Sequence, residues 1–248
     1  MRQYGLIGKT LGHSFSQRYF EEKFAASGRY DCRYTLYELP DIKQFREFVA
    51  SKPDLRGLNV TIPYKQSVMP LLDEIDAEAE TVGAVNTVKV LRGGRTLKLV
   101  GYNTDVEGFR RSLAGQPLPK RTLVFGTGGA AAAVVYVLRQ WGVEYKMVSR
   151  HPAENMIGYE DVTSAVLKDW PWLLNCTPVG MWPDVEECLP LPYEALAEGS
   201  FLYDLVYNPE ETQFLRRGRE RGARVQNGLR MLQFQADAAW EIWNLSRK

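Results

Sequence analysis

The sequence predicts an α/β protein built from two domains, and three observations carry that expectation. Strand-like and helix-like segments alternate through the first 105 residues. The stretch TLVFGTGGAAAA, Thr122 to Ala133, runs from a strand through a glycine turn into a helix. The last stretch, Leu229 to Leu245, places Met231, Leu232, Ala236, Ala239, Trp240 and Trp243 at helical spacing. Hydrophobic residues make up 45% of the 248-residue chain, enough to bury a sizeable core.

In the first half, Gln3 to Gly8 reads as a short buried strand. Ser14 or Ser16 suits the N-cap of a helix bearing Phe15, Tyr19, Phe20 and Phe24 on one face, with Gly28 ending it. Cys32, Tyr34 and Leu36 alternate with polar residues in a half-buried strand. Asp41 suits the cap of a helix presenting Ile42, Phe45, Phe48 and Val49. Leu58, Val60 and Ile62 alternate in a strand that Pro63 stops. Val85 to Leu91 and Thr96 to Val100 form a hairpin around Gly93 and Gly94. The expected first domain is 1–105, completed by the helix at 229–248, and the second is 106–228.

The second half opens with a helix from Val106 to Leu113 and a connector from Gly115 to Pro119. Strands are expected at Arg121 to Phe125, Glu144 to Val148, Leu173 to Asn175, Phe201 to Leu205 and Ala223 to Gln226. Helices are expected at Ala130 to Gln140 and Glu211 to Arg221. There is no internal repeat and no low-complexity segment.

Charge and composition exclude several function classes. Lys plus Arg total 31 and Asp plus Glu total 30, so no global field attracts nucleic acid or an anionic membrane. The three scattered cysteines, Cys32, Cys176 and Cys188, and the two histidines, His13 and His151, offer neither a disulfide framework nor a metal site. The apolar run Ala130 to Leu138 is far short of the roughly 20 residues of a membrane span. The expected setting is cytoplasmic, the expected partner a small-molecule substrate, and the expected state a monomer or homodimer.

The glycine turn carries the first chemical inference. Gly126 permits a tight turn, Gly128 lets the backbone approach a diphosphate, and Gly129 and Ala130 let the helix start close to the sheet, with Thr127 between. Free N–H groups at that helix start face the phosphates. This is the arrangement of a Rossmann-type, doubly wound domain. The next strand runs into Ser149-Arg150-His151 with no acidic residue at its end, and Arg150 stands 24 positions after Gly126. A guanidinium there fits a ribose 2′-phosphate, where a carboxylate would fit a bare hydroxyl. The expected cofactor is therefore NADP.

A second set of polar residues lies at strand ends. Thr61 and Lys65 follow one strand, Asn86 lies beside another, and Asn103, Thr104 and Asp105 end the hairpin. Each also has a plain structural reading. Lys65 suits a solvated helix start, Asn86 can satisfy backbone groups, and Asp105 suits the N-cap of the following VEGFRRSL.

Taken together and in order, GHSFS, NVTIPYK, GAVNT, NTD, GTGGAA, SR, NCTPVGM, YDLVYNP and GLRMLQFQA resemble the shikimate dehydrogenase family over nearly the whole chain. The resemblance implies an N-terminal α/β substrate domain, a Rossmann-type NADP domain, and reversible reduction of 3-dehydroshikimate to shikimate. It implies that Ser14 and Ser16 bond the substrate carboxylate, and that Thr61, Asn86, Tyr207 and Gln235 bond its carboxylate or hydroxyls. Lys65 and Asp105 are implied as the catalytic pair bracketing the reacting oxygen. Gly126, Thr127, Gly128, Gly129, Ala130, Ser149 and Arg150 are implied to hold NADP. Leu205, Gly228 and Met231 are implied to lie near the nicotinamide. The chain departs from the family where Asn-Arg-Thr is common: here Ser149-Arg150-His151 is followed by Pro152 and Ala153, which leaves the 2′-phosphate fewer clamps. The alternative is a quinate/shikimate dehydrogenase using NAD or either cofactor.

Overall fold

A computed structural model describes residues 1–12, 15–94 and 96–245. The chain divides into one unit of Met1–Gly108 with Gln233–Lys248 and another of Phe109–Leu232. The divisions fall a few residues beyond the expected limits at 105/106 and 228/229, each inside a helix. Side-chain packing explains the shift. Phe109 packs against Trp141 and Tyr203 of the second unit, whereas Ala236, Ala239 and Trp243 pack with Tyr4, Phe20 and Tyr34 of the first.

The first unit contains β1 (Arg2–Gly8), α1 (Phe15–Ala26), β2 (Cys32–Glu38), α2 (Phe45–Ala50) and β3 (Leu55–Val60). There follow α3 (Tyr64–Ser67), β4 (Glu74–Ile75), α4 (Ala77–Val82), β5 (Thr87–Gly93), β6 (Thr96–Tyr102) and the start of α5 (Thr104–Ser112). Its sheet has the order β2-β1-β3-β5-β6-β4. β1 pairs in parallel with β2 and β3, while β3, β5 and β6 run antiparallel in turn. Both faces are covered. Ile7, Leu58, Val60 and Val88 point into one core with Phe45 and Val49 of α2. Tyr4, Leu6 and Tyr34 point into the other with Phe20 and Phe24 of α1 and Trp243.

That double covering corrects the reading of β3. Gly57, Leu58, Asn59 and Val60 are all buried, as in a central strand packed on both sides. The strand ends at Val60, and Ile62 lies beyond it with 64% of its surface exposed. The cap expected at Asp41 forms, its carboxylate accepting from Lys43 N at 2.9 Å, but it starts a 3-10 turn at Ile42–Gln44 that leads into α2. Ser16 lies inside α1 and so does not cap it; Ser14 lies outside the described residues.

The second unit contains β7 (Arg121–Phe125), α6 (Gly129–Gln140), β8 (Glu144–Val148), β9 (Met156–Ile157), α7 (Ser164–Asp169) and β10 (Trp172–Asn175). It continues with β11 (Phe201–Asp204), α8 (Gln213–Glu220), β12 (Arg224–Gln226) and the first turn of α9 (Leu229–Asn244). The sheet order is β12-β11-β10-β7-β8-β9 and every pairing is parallel. The order reverses between β7 and β10, so the carboxyl ends of these two strands form the switch point where doubly wound sheets bind ligands.

In the first unit, α9 is held to the sheet by polar groups as well as rings. Trp243 Nε1 donates to Val88 O at 3.1 Å. The buried Lys89 Nζ donates to Ile242 O and Leu245 O at 2.7 and 2.6 Å, satisfying last-turn carbonyls that a helix cannot satisfy itself. No helix among the described residues is long and apolar enough to cross a membrane.

Candidate active site

In the first unit, α3 brings Lys65 to its place. Tyr64 OH donates to Leu39 O at 2.5 Å and fixes the start of the helix, and Val85 N donates to Lys65 O at 2.7 Å. Lys65 Nζ lies 2.5 Å from Asp105 Oδ2, with side-chain exposures of 15% and 8%. Asp105 Oδ1 accepts from Asn86 Nδ2 at 2.8 Å. Both carboxylate oxygens are thus engaged, one by a cation and one by an amide.

Asp105 is free for this because it is not the helix cap. Asn103 Oδ1 accepts from Val106 N at 3.3 Å and caps α5, and Asn103 Nδ2 is anchored to Ala84 O at 2.8 Å. Asp105 falls in the first turn, where an acidic side chain suits the positive end of the helix. Asn86 is set by its backbone, donating to Tyr102 O at 3.1 Å and accepting from Val60 N at 2.8 Å. Its Oδ1 accepts from Thr104 N at 2.7 Å.

A buried polar chain extends from this group. Thr87 Oγ1 lies 3.0 Å from Thr104 Oγ1 and 3.1 Å from Asn86 Oδ1. Asn59 Nδ2 donates to Thr87 Oγ1 at 3.1 Å, and Tyr34 OH donates to Asn59 Oδ1 at 2.8 Å. Ser16 is hydrogen-bonded to Tyr34, whose phenol burial pushes well above its usual range. Gln235 Oε1 lies 3.4 Å from Thr104 Oγ1. Ser16, Asn86, Lys65, Asp105 and Gln235 are therefore parts of one connected set. Thr61 follows β3, its N–H donating to Ile7 O at 2.9 Å. Tyr207 belongs to the second unit, where burial raises its phenol. Asn59 and Thr87 escaped the sequence reading, which took Tyr34 only as an apolar strand residue; the signal at Asn59 was a polar side chain inside a largely apolar strand.

In the second unit, Gly126 follows β7 with φ +104, a conformation that favours glycine, and its N–H donates to Val148 O at 3.0 Å. The first backbone bond of α6 runs from Ala132 N to Gly128 O at 3.0 Å, so the earlier donors are not used by the helix. A Cβ on Gly128 would meet no atom within 4 Å. Open space in front of a helix start, with Thr127 and Gly128 exposed, fits a diphosphate. Beyond β8, Ser149 Oγ accepts from His151 N at 3.1 Å and shapes the turn that carries the exposed Arg150. Leu205 and Gly228 come together: a Cβ on Gly228 would strike the Leu205 carbonyl. Met231 is buried in the first turn of α9.

Asp204, at the end of β11, was not anticipated, although a carboxylate closing an apolar strand is itself a signal. It accepts from Asn175 Nδ2 and Val206 N at 2.9 Å and from Thr212 Oγ1 at 2.6 Å. Burial dominates these bonds and pushes the carboxyl from the ordinary value of 3.8 up to about 7. Burial also raises the nearby Cys176 thiol and Tyr203 phenol, so both stay neutral over that interval. The folded state holds the Asp204 proton more tightly than the unfolded state does. Its contribution to stability is complete below pH 3.8 and is lost as pH rises to about 7. Relative to Asp204→Asn, the parent should lose on the order of 1.4 kcal/mol per pH unit across that interval. Denaturant unfolding of both at several pH values measures this, and parallel pH curves would refute it.

A family model described as the shikimate dehydrogenase substrate binding domain matches residues 6–88. The chain is 38% identical to the NADP(+) shikimate dehydrogenase of Caldicellulosiruptor saccharolyticus, over 98% of this chain and 92% of that protein. The solved structure of shikimate dehydrogenase 1 from Peptoclostridium difficile is 34% identical with a TM-score of 0.86, covering 100% of this chain and 93% of that one. The Thermus thermophilus shikimate 5-dehydrogenase in complex with NADP(H) and shikimate is 31% identical with a TM-score of 0.85, covering 98% and 94%. With the substrate-domain motifs, the glycine turn and matched length all agreeing, this chain belongs to the shikimate dehydrogenase family.

Proposed function

We propose that the chain is an NADP-dependent shikimate dehydrogenase, interconverting shikimate and 3-dehydroshikimate. The observation that carries this reading is the buried set Lys65–Asp105–Asn86, with contacts of 2.5 and 2.8 Å. NADP, when bound, would supply the hydride transfer to and from the substrate carbon. The chain's own residues manage the oxygen. During reduction the Lys65 ammonium donates a proton to the oxygen as negative charge develops there. Asp105 holds Lys65 in place, and Asn86 holds Asp105. In the reverse direction the same pair accepts the alcohol proton.

Ser14 and Ser16 are proposed for the substrate carboxylate, and Thr61, Asn86, Tyr207 and Gln235 for its carboxylate or hydroxyls. Gly126 to Ala130 are proposed for the diphosphate, Ser149 and Arg150 for the 2′-phosphate, and Leu205, Gly228 and Met231 for the nicotinamide side. The test is NADPH absorbance on mixing the protein with shikimate and NADP. No NADPH formation with shikimate, under conditions where the protein is folded, would overturn the reading.

Arg150 decides the cofactor. Losing a charge-assisted bond to the 2′-phosphate costs about 1.5–3 kcal/mol, or roughly 10- to 100-fold in affinity. Arg150→Ala should therefore raise the KM for NADP by that factor, with kcat nearly unchanged and the KM for NAD unmoved. Equal changes for the two cofactors would remove Arg150 from the 2′-phosphate.

A further inference from the structure

We infer that Asp204 is a positioning residue that sets the Leu205–Val206 backbone for the nicotinamide half of NADP. This rests on the reading that Leu205 lies on the nicotinamide side. Asp204 is fully buried, so it acts through its neighbours. Its Oδ1 ties Val206 N to Asn175, the last residue of β10. Its Oδ2 ties Thr212, the N-cap of α8, whose hydroxyl also accepts from Leu215 N at 3.4 Å.

Asn175 passes the connection on. Its Oδ1 accepts from Thr177 N at 2.9 Å and from Thr177 Oγ1 at 2.6 Å, and its backbone carbonyl accepts from Leu205 N at 2.9 Å. The Thr177 methyl lies 3.0 Å from where a Gly126 Cβ would stand. A continuous line thus runs from the glycine turn after β7, through the end of β10, to the loop after β11. Asp204 is its branch point, binding three donors with one carboxylate. Its removal should loosen the loop after β11 and leave the glycine turn, at the far end of the line, in place.

The two halves of the cofactor separate the effects. Adenosine 2′,5′-bisphosphate carries the adenosine and 2′-phosphate of NADP and lacks the nicotinamide. Asp204→Asn and Thr212→Val in the full chain should weaken NADP binding at least about 10-fold, the scale of leaving one buried polar group unpaired. Binding of adenosine 2′,5′-bisphosphate should change less than about two-fold, because its site does not include Leu205. Thr212→Ser, which keeps the hydroxyl, should restore NADP binding. If Asp204→Asn does not fold, the Thr212 pair decides. Equal weakening of both ligands, no weakening of either, or failure of Thr212→Ser to restore binding overturns the inference. A parent protein that binds neither ligand or does not oxidise shikimate overturns the functional reading instead.

Discussion

Lys65→Ala is expected to lower turnover of shikimate by at least about 100-fold, toward the 10⁴-fold upper range of general acid–base catalysis. Among the described residues the Lys65 ammonium is the one cation shown on Asp105, at 2.5 Å, and both side chains are largely shielded from water. Alanine removes the proton donor and leaves Asp105 with its bond from Asn86 alone among the contacts described. The interaction lost is strongest as charge develops on the oxygen, so kcat should fall far more than KM rises. Lys65→Arg separates charge from proton transfer. Arginine keeps a cation near Asp105 but does not release its proton at neutral pH, so turnover should stay low while the protein remains folded. Steady-state kinetics on both variants, with thermal melting alongside, measure this. Near-normal turnover for Lys65→Ala would remove Lys65 from the chemistry.

How much of this site was legible depended on how local each feature is. The β7–turn–α6 unit follows from a few adjacent residues: Gly126 must take a positive φ, and the alanines that follow favour a helix. Lys65 and Asp105 could be named as candidates, but their pairing depends on Asn103 taking the cap of α5, a choice made by the Asn103–Ala84 contact across 19 positions. The Tyr34–Asn59–Thr87 chain joins residues 25 and 28 positions apart on β2, β3 and β5, with Tyr34 reaching Asn59 across the intervening β1. Only the sheet order places them together. Alternation misled at Ile62 because a centrally placed strand is buried on both faces and carries no period-two signal. The short helix α4 was not anticipated and α3 was read only as a helix start at Lys65, since six and four residues are too few to display a helical period. Asp204 fell inside the strand expected at Phe201 to Leu205, and its burial among Asn175, Val206 and Thr212 is a tertiary fact.

Two glycines of the second unit should respond to alanine in opposite ways. At Gly228 a methyl group would meet the carbonyl oxygen, carbon and Cα of Leu205, all backbone atoms. That backbone is pinned from both sides, by Leu205 N to Asn175 O at 2.9 Å and Gly228 N to Val206 O at 3.1 Å, and Gly228 O accepts the Leu232 N of α9 at 2.9 Å. It cannot yield without breaking these bonds. Gly228→Ala should cost about 1–3 kcal/mol of stability or more, as other forced overpacking does, and should weaken NADP binding because the Leu205 carbonyl moves. At Gly128 the same methyl meets no protein atom within 4 Å, and φ is −81, which alanine adopts freely. Gly128→Ala should therefore melt within about 0.5 kcal/mol of the parent, as unstrained surface substitutions do. Its Cβ would nevertheless stand in the open space proposed above for the cofactor diphosphate. NADP affinity should fall by at least about 10-fold, the loss of a single well-made phosphate contact. Melting curves with and without NADP, together with the KM for NADP, separate the two cases. A Gly128→Ala protein that binds NADP like the parent would mean that the diphosphate does not lie against this turn.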